Sequence, residues 1–408
     1  MYVSDLALDD FRSYPHLVLQ FGPGVTTFVG RNGQGKTNIV EALAYLATFS
    51  SHRVGADSAL VRQGTPGAMV RAKVIRGGRP DVVEVEIVAG KANRARVNRA
   101  PVSRARDAMG YVQTVLFAPE DLELVRGDPA ARRRFLDELA TMLSPRLAAV
   151  RADLDRVLRQ RGALLKQFQA RRRRGDSLDV AALEPWDLQL SEFSAEVTAA
   201  RACVVAGLRP HLTENYRIVS DDQGAPRLDL RAGLLAAEGH PAPDAALLAD
   251  VEGGVEARAA AAAAEDGLRD VPAARTRLLE AIRAAHEREI ERGLNLVGAH
   301  RDDLVLSLGT LPAKGFASHG ETWSFALALR LASLHLLREE NQGDGLGDPV
   351  LVLDDVFAEL DERRRARLTE LVRDVEQVFI TAAVGADVPA ELADARFTVD
   401  DGQVTRAE

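Results

Sequence analysis

Cysteine is nearly absent: Cys203 stands alone among 408 residues. That excludes an internal disulfide and any metal site built from several thiolates. Cys203 lies in an apolar helical pattern and reads as a small buried hydrophobe rather than a reactive thiol. Long apolar runs are also missing, and no stretch approaches the roughly 20 residues a bilayer-spanning helix requires. The opening Met1-Tyr2-Val3-Ser4-Asp5 has no basic segment ahead of an apolar one, so no secretory signal is visible. The chain therefore reads as cytoplasmic, with no membrane partner. An overall positive charge is lacking too. The formal net charge is −8, which by itself argues against a nucleic-acid binder.

The distribution of that charge argues otherwise. Residues 131–174 hold 13 Lys/Arg against 4 Asp/Glu, and residues 91–106 hold 6 Lys/Arg and no acid. The rest of the chain is correspondingly acidic. Such segregation can build a positive face on an acidic molecule. Arg94, Arg96 and Arg99 in the first segment and Arg171 and Arg172 in the second are the candidates for DNA phosphates. For the arginines at 171–174 a merely solvated face is an equal alternative.

What is present most plainly is Gly30-Arg31-Asn32-Gly33-Gln34-Gly35-Lys36-Thr37, which fits the phosphate-loop pattern G-x-x-x-x-G-K-[ST]. The apolar run 25–29 before it reads as a buried strand, and 38–46 after it has helical apolar spacing. Glycines let the backbone wrap a triphosphate, and the helix start adds partial positive charge. Lys36 is placed to reach the β- and γ-phosphates, and the Thr37 hydroxyl to ligate Mg²⁺. Far downstream, Val350-Leu351-Val352-Leu353 is a second buried-strand run, ending in Asp354-Asp355. Asp354 suits Mg²⁺, and Asp355 stands where a base for the attacking water belongs. Both strands must serve one Mg²⁺, so they are expected to be neighbours although 318 positions separate Lys36 from Asp354.

Between these two runs the periodicity changes. Residues 2–21, 68–76 and 82–88 alternate as strands, with further strands near 94–98 and 112–117. From about 129 the pattern is helical: Leu147, Val150, Leu154, Val157, Leu164 and Phe168 form one apolar seam, broken once at Arg161. Leu183, Trp186, Leu190, Phe193, Val197, Ala200 and Val204 form another. A charged, glycine-containing link joins them, which implies an antiparallel helical hairpin. Residues 131–170, if one helix, span roughly 60 Å, a short arm. Residues 240–276, rich in proline, glycine and alanine, read as a surface insertion or frayed helix. Length suggests two or three domains: 1–125, the first part of an α/β ATPase domain with a β-rich layer; 126–295, a helical lobe with the arm; and 296–408, the rest of the ATPase domain.

Ser318-His319-Gly320-Glu321, at the start of a helical pattern, offers a hydroxyl, a bare backbone and a helix dipole to an anion. Alone it is a weak motif that also fits a simple helix cap. A few dozen residues before Asp354-Asp355, it looks like the signature motif of ABC-type ATPases, and Glu359-Leu360-Asp361 resembles their D-loop. His300-Arg301-Asp302 matches part of a protein-kinase catalytic loop, but the downstream Asn and the kinase glycine loop are missing.

Taken with Phe11-Arg12-Ser13-Tyr14, Phe117-Ala118-Pro119-Glu120-Asp121-Leu122, Arg132-Arg133-Arg134-Phe135-Leu136-Asp137 and Gly298-Ala299-His300-Arg301-Asp302-Asp303-Leu304, these motifs strongly resemble the RecF family of recombination mediator ATPases, relatives of the SMC proteins. The resemblance covers essentially the whole chain. It implies an ABC-type phosphate-loop fold and an ATP-dependent homodimer that binds gapped or junction DNA. It also implies roles in replication, recombinational repair and the SOS response to damage, alongside RecR and RecO, helping RecA to load on single strands. Carried onto this sequence, Gly30, Arg31, Asn32, Gly33, Gln34, Gly35, Lys36, Thr37, Asn38 and Asp354 hold ATP and Mg²⁺ in cis. Ser318, Gly320 and Glu321 act on the partner's nucleotide, and Arg12 reaches the phosphates from the N-terminal hairpin.

Several positions depart from the general ABC pattern. Thr381 and Ala382 stand where a switch histidine would lie, and Ala358 occupies a D-loop place often held by serine. The 117–122 loop has no glutamine, leaving Gln113 or Glu120 for that role. Asp355 is one methylene shorter than the usual glutamate. These departures suit a slow switch. Two alternatives share the motifs: the nucleotide-binding subunit of a membrane transporter, against which the large helical excursion tells, and a structural SMC-like clamp, for which the arm is short. A metabolic kinase would not carry the Ser318 motif.

Overall fold

The computed structural model describes residues 1–220, 224–243, 254–392 and 394–407. Two six-stranded sheets share one core around the helix Lys36–Thr48. The first sheet is antiparallel throughout, in the order Tyr14–Gln20, Tyr2–Phe11, Gly67–Arg76, Arg79–Val88, Arg94–Val97, Ala100–Pro101. Its period-two patterning puts Val70, Ala72, Val74, Val83, Val85 and Ile87 inside and charged residues outside, as one-sided antiparallel sheets do.

The second sheet is built from both ends of the sequence. Its order is Gln403–Arg406, Ala395–Asp400, Gly24–Val29, Gln377–Ala382, Val350–Asp354, Thr114–Phe117, parallel except for the Gln403–Arg406 edge. It is covered on both faces. Val350 and Val352 face the core shared with the first sheet, while Leu351 and Leu353 face the helical side. That explains the unbroken apolar run, since a strand buried on both faces has no polar side to alternate with.

The expectation that the strands ending at the phosphate loop and at Asp354 are neighbours is wrong. Gln377–Ala382 lies between them and pairs with both. Two spacings of roughly 4.8 Å separate the outer strands. The gap closes because Thr37 lies beyond its strand, on the helix that crosses the strand ends, and its hydroxyl meets Asp354 there.

On the helical side, 131–170 is not one helix. Pro129–Leu143 ends at Ser144 in extended conformation, followed by Pro145, and Leu147–Arg173 starts afresh. The 27 residues of the second helix span about 40 Å. It pairs with Glu184–Val219 as expected, and a third helix, Val271–Arg292, packs against both. The arm is thus three-helical as far as its tip, where Glu287 meets Arg172, and not a two-helix hairpin. The third helix explains the break in the seam. Arg161 is fully buried and donates to Asp187 at 2.8 Å, Glu289 at 2.6 Å and Asn295 at 2.7 Å. Its guanidinium ties all three helices and the following loop.

Cys203, expected to be buried, is exposed on the outer face of Glu184–Val219. Its neighbours Ala202, Val204 and Val205 take the inward positions. A small third sheet, Leu311–Pro312, Asp303–Leu308 and Pro226–Arg231, packs beside the helices. Part of the 240–276 stretch, residues 244–253, lies outside the described residues; its described part includes the helix Gly254–Asp266. No described helix is long and apolar enough to cross a membrane.

Candidate functional site

Gly30 closes the strand Gly24–Val29, and a Cβ there would sit 2.1 Å from the Val399 carbonyl oxygen, so the loop can pass only without a side chain. Gly33 and Gly35 have φ of 84° and 111°, the left-handed region that favours glycine. The turn they make leaves the first amides of Lys36–Thr48 unpaired with any side-chain cap, a ready anion site. Lys36 is buried, and its ammonium donates to the Gly30 and Arg31 carbonyls at 2.8 and 3.3 Å. Among the described residues no carboxylate pairs with it, so the donor set suits a polyphosphate. Gln34 accepts from the Asp401 amide, and Asn38 donates to Ser13, which anchors the loop to the opposite sheet's hairpin.

The strand ends complete the site. Thr37 donates to Asp354 Oδ1 at 3.2 Å, and Thr381 donates to the same oxygen at 2.5 Å. Thr381 Oγ1 also accepts from the Asp355 amide at 2.9 Å. Burial pushes the Asp354 carboxyl up to about 6, the two threonine hydroxyls oppose this, and the charges of Asp355 and Glu120 add to it. A carboxylate held so reluctantly in its charged form is ready to gain a cation. Thr37 and Asp354 can hold Mg²⁺; among the described residues no group of three His, Cys, Asp or Glu is arranged to bind a metal. Held by that pair, the ion would take the rest of its shell from water and phosphate oxygens. Asp355 has φ 52°, strained for a residue with a Cβ, and its partly exposed carboxylate makes no hydrogen bond among the described residues. It is free to accept a proton from water.

Arg12 lies in the hairpin turn with φ 52°, its guanidinium bidentate on Glu41 at 2.8 and 2.6 Å and its third nitrogen on the Ala59 carbonyl. Glu41 is fully buried one turn beyond Thr37. Burial alone would raise its carboxyl, but hydrogen bonds from Arg12 and Ser51 and the charges of Arg12 and Arg53 hold it below the ordinary carboxylate value. Arg12 is therefore locked to the phosphate-loop helix. Gln113 does not take the place of the glutamine missing from the 117–122 loop: it is buried between the Met142 carbonyl and Asn341, ahead of the strand Thr114–Phe117 and away from the strand's nucleotide end. Glu120, exposed just past that strand, is close enough to act on Asp354. Sequence reasoning missed Glu41 and His52. Among the described residues both buried ring nitrogens of His52 have no partner, and burial lowers its pKa against the pull of Glu120 and Glu41.

Ser318 caps the helix His319–Asp344. Its hydroxyl accepts from the Glu321 amide at 3.3 Å, while the Glu321 carboxylate accepts from the Ser318 amide at 2.8 Å. This reciprocal box leaves Gly320 bare and partly exposed between them, and makes Glu321 a brace for the turn. None of these bonds involves the chain's own phosphate loop. Asp361, after the second strand motif, caps Glu362–Arg373.

The basic segments fare differently. Arg94 and Arg96 extend from one face of the strand next to the short Ala100–Pro101 edge, and Arg99 occupies the turn after it, all exposed. Glu86 and Glu84 stand opposite them on the adjoining strand, and Arg94 meets Glu86 at 3.7 Å. The excess counted over 131–174 is met in part by acids from elsewhere. Arg132 pairs with Asp303, Arg146 with Glu196, Arg161 with Asp187 and Glu289, and Arg172 with Glu287. Arg171 donates to the Ser177 carbonyl, closing the arm tip.

The chain matches the RecF/RecN/SMC N-terminal domain model over residues 2–394. It is 57% identical over 409 residues to DNA replication and repair protein RecF of Beutenbergia cavernae, covering 100% of both chains. It is 53% identical over 411 residues to the protein of the same name from Frankia alni, again covering 100% of both. Among solved structures it resembles the recombination mediator protein RecF-ATPrS in the RecFOR pathway, with a TM-score of 0.82 and 24% identity over 100% of this chain and 98% of that one. It also resembles an Smc head bound to the C-winged helix domain of ScpA, with a TM-score of 0.52 and 16% identity over 100% and 97%. At those identities the two structural likenesses speak for the fold alone.

Proposed function

Because this chain belongs to the RecF family, within the RecF/RecN/SMC N-terminal domain proteins, we propose that it is an ATP-driven, DNA-binding switch of replication and recombinational repair. ATP binding joins two copies on gapped or junction DNA, and slow hydrolysis releases them. In this reading the switch works with RecR and RecO to help RecA load. The observation that carries it is the cluster of Lys36, Thr37, Asp354, Thr381 and Asp355 gathered at the strand ends from positions more than 300 residues apart.

The loop amides and Lys36 bind and neutralise the triphosphate. Thr37 and Asp354 hold Mg²⁺, which when bound would offset charge on the β- and γ-phosphate oxygens. Asp355 orients the attacking water and takes its proton. Ser318 and the Gly320 backbone present donors to the nucleotide of a second copy, and the Glu321 box keeps that turn in shape. Arg12, released from or sharing Glu41, is the further cation near the phosphates. The short arm speaks for a compact switch rather than a long clamp. Sedimentation with and without ATP and gapped DNA tests the reading: a monomer that becomes a dimer with ATP and co-sediments with DNA supports it. ATP-indifferent mass, or no association with DNA, would sink it.

A further inference from the structure

The His300-Arg301-Asp302-Asp303 turn has no part in the nucleotide site, yet it is built with care. Asp302 is fully buried and accepts from Thr198 at 2.9 Å, Arg201 at 3.0 Å and the Gly233 amide at 2.8 Å. Asp303 takes a bidentate pair from Arg132 at 2.8 and 2.9 Å. Both carboxylates are thus engaged by arginines behind the turn. Arg301 is exposed, and among the described residues its guanidinium is bonded only to the Asn295 carbonyl.

It borders an open groove of about 660 Å³ between the start of Pro129–Leu143, the 231–237 segment and the C-terminal end of Val271–Arg292, together with Arg133, Arg231, Arg288 and Arg292. Arg288 and Arg292 stand four residues apart on one face of Val271–Arg292. Among the described residues, Arg231, Arg288 and Arg292 have no carboxylate within ion-pair reach, and Arg133 donates only to the Asp302 carbonyl. The groove's other acid, Asp128, is 90% exposed and faces Lys314. Five guanidiniums therefore converge on one concavity with little to offset them, on a protein whose net charge is −8.

We propose that this groove is a phosphate-binding site, separate from the ATP site, that seats the sugar–phosphate backbone of a DNA strand. The inference rests on the DNA-binding reading above and gives it a place. Guanidinium forks match phosphate oxygens two at a time. The small residues of the walls, Ala130, Ala232, Ala236 and Ala237 among them, make room for a backbone to reach the guanidiniums.

The test is Arg288→Glu with Arg292→Glu, both exposed and outside any described ion pair, measured by anisotropy of a labelled gapped oligonucleotide over a salt series. ATP affinity serves as the control for folding and should not change. Affinity for DNA should fall about tenfold or more at low salt. The slope of log affinity against log salt should flatten by about 1.4, from roughly 0.7 per lost contact to a single strand. Pyrophosphate should displace the oligonucleotide from the wild type. DNA binding unchanged in affinity and slope would overturn the groove assignment while leaving the DNA-binding reading intact. No DNA binding by the wild type would sink both. Two further results would also overturn the assignment: loss of pyrophosphate binding alone, or loss of binding to a polyglutamate peptide with DNA binding kept.

Discussion

Thr381 is the residue on which the nucleotide site turns. Its hydroxyl donates to Asp354 and accepts from the Asp355 amide, so one side chain fixes both carboxylate-bearing residues. In the bare chain Asp354 carries a carboxyl raised to about 6 by burial, despite that bond. A raised carboxyl favours the protonated fold. Its contribution to stability is complete below about pH 4, and is lost as pH climbs through 6. Cation binding runs the opposite way because it requires the charged form. Mg²⁺-dependent ATP affinity should therefore weaken as pH falls through 6, and isothermal titration across pH 5 to 8 would show it. Thr381→Val removes a hydrogen bond to a charge, worth about 1.5–3 kcal/mol, so the midpoint should move up by about one pH unit or more. An unmoved midpoint would mean that Thr381 does not support Asp354. Asp355→Asn acts on the same pair from the other side. It removes the proposed base and a like charge, so the midpoint should move down. Steady-state hydrolysis should fall by at least 100-fold, while ATP binding persists. Wild-type turnover in that variant would assign the water to another group.

At the scale of elements, the arm depends on a polar core. Arg161, Asp187 and Glu289 are fully buried, and His286 joins Asp187 at 2.7 Å. Arg161→Met would leave two carboxylates buried without their cation and should cost about 3–5 kcal/mol, visible in thermal or urea unfolding. Adding Asp187→Leu and Glu289→Leu should recover most of that loss. If the single variant unfolds like the wild type, the triad is not what joins the helices. This triad also marks the limit of what the sequence discloses. The heptad-like seam identified two arm helices, and Arg161 interrupted it, but its partners lie 26 and 128 positions away. Periodicity reports which face is apolar, not which distant acid will meet a buried cation. The strands beside Lys36 and Asp354 were legible because each is apolar on both faces and ends in phosphate or metal chemistry. The place of Gln377–Ala382 between them was not legible, since adjacency in a parallel sheet depends on crossovers that no local pattern records. Pro226–Arg231 went unseen because it pairs with a segment about 75 residues away and alternates over too few positions to stand out. Cys203 misled because one exposed residue inside an apolar stretch looks like its neighbours.

For the whole molecule the question is whether the two halves of the site belong to different copies. Lys36 and the cap at Ser318 share no hydrogen bond in one chain, and Gly320 is bare and partly exposed. If the Ser318 turn serves a partner's γ-phosphate, donors on both sides meet the nucleotide only when ATP is present. ATP then stabilises the dimer by mass action, and hydrolysis weakens it. Lys36→Ala and Ser318→Arg should each be inactive as homodimers. In a mixed dimer one site carries both defects, while the other combines an intact phosphate loop with an intact cap. Mixing the two should restore ATPase activity, rising faster than linearly with protein concentration in the range where dimers form. Random pairing makes mixed dimers half of an equimolar population, with one competent site each, so rescue should approach about a quarter of the wild-type rate if the sites fire independently. Rescue well below that, with dimers still formed, would mean that both sites must close together. Full activity of Ser318→Arg alone would place the turn outside the reaction and refute the shared site.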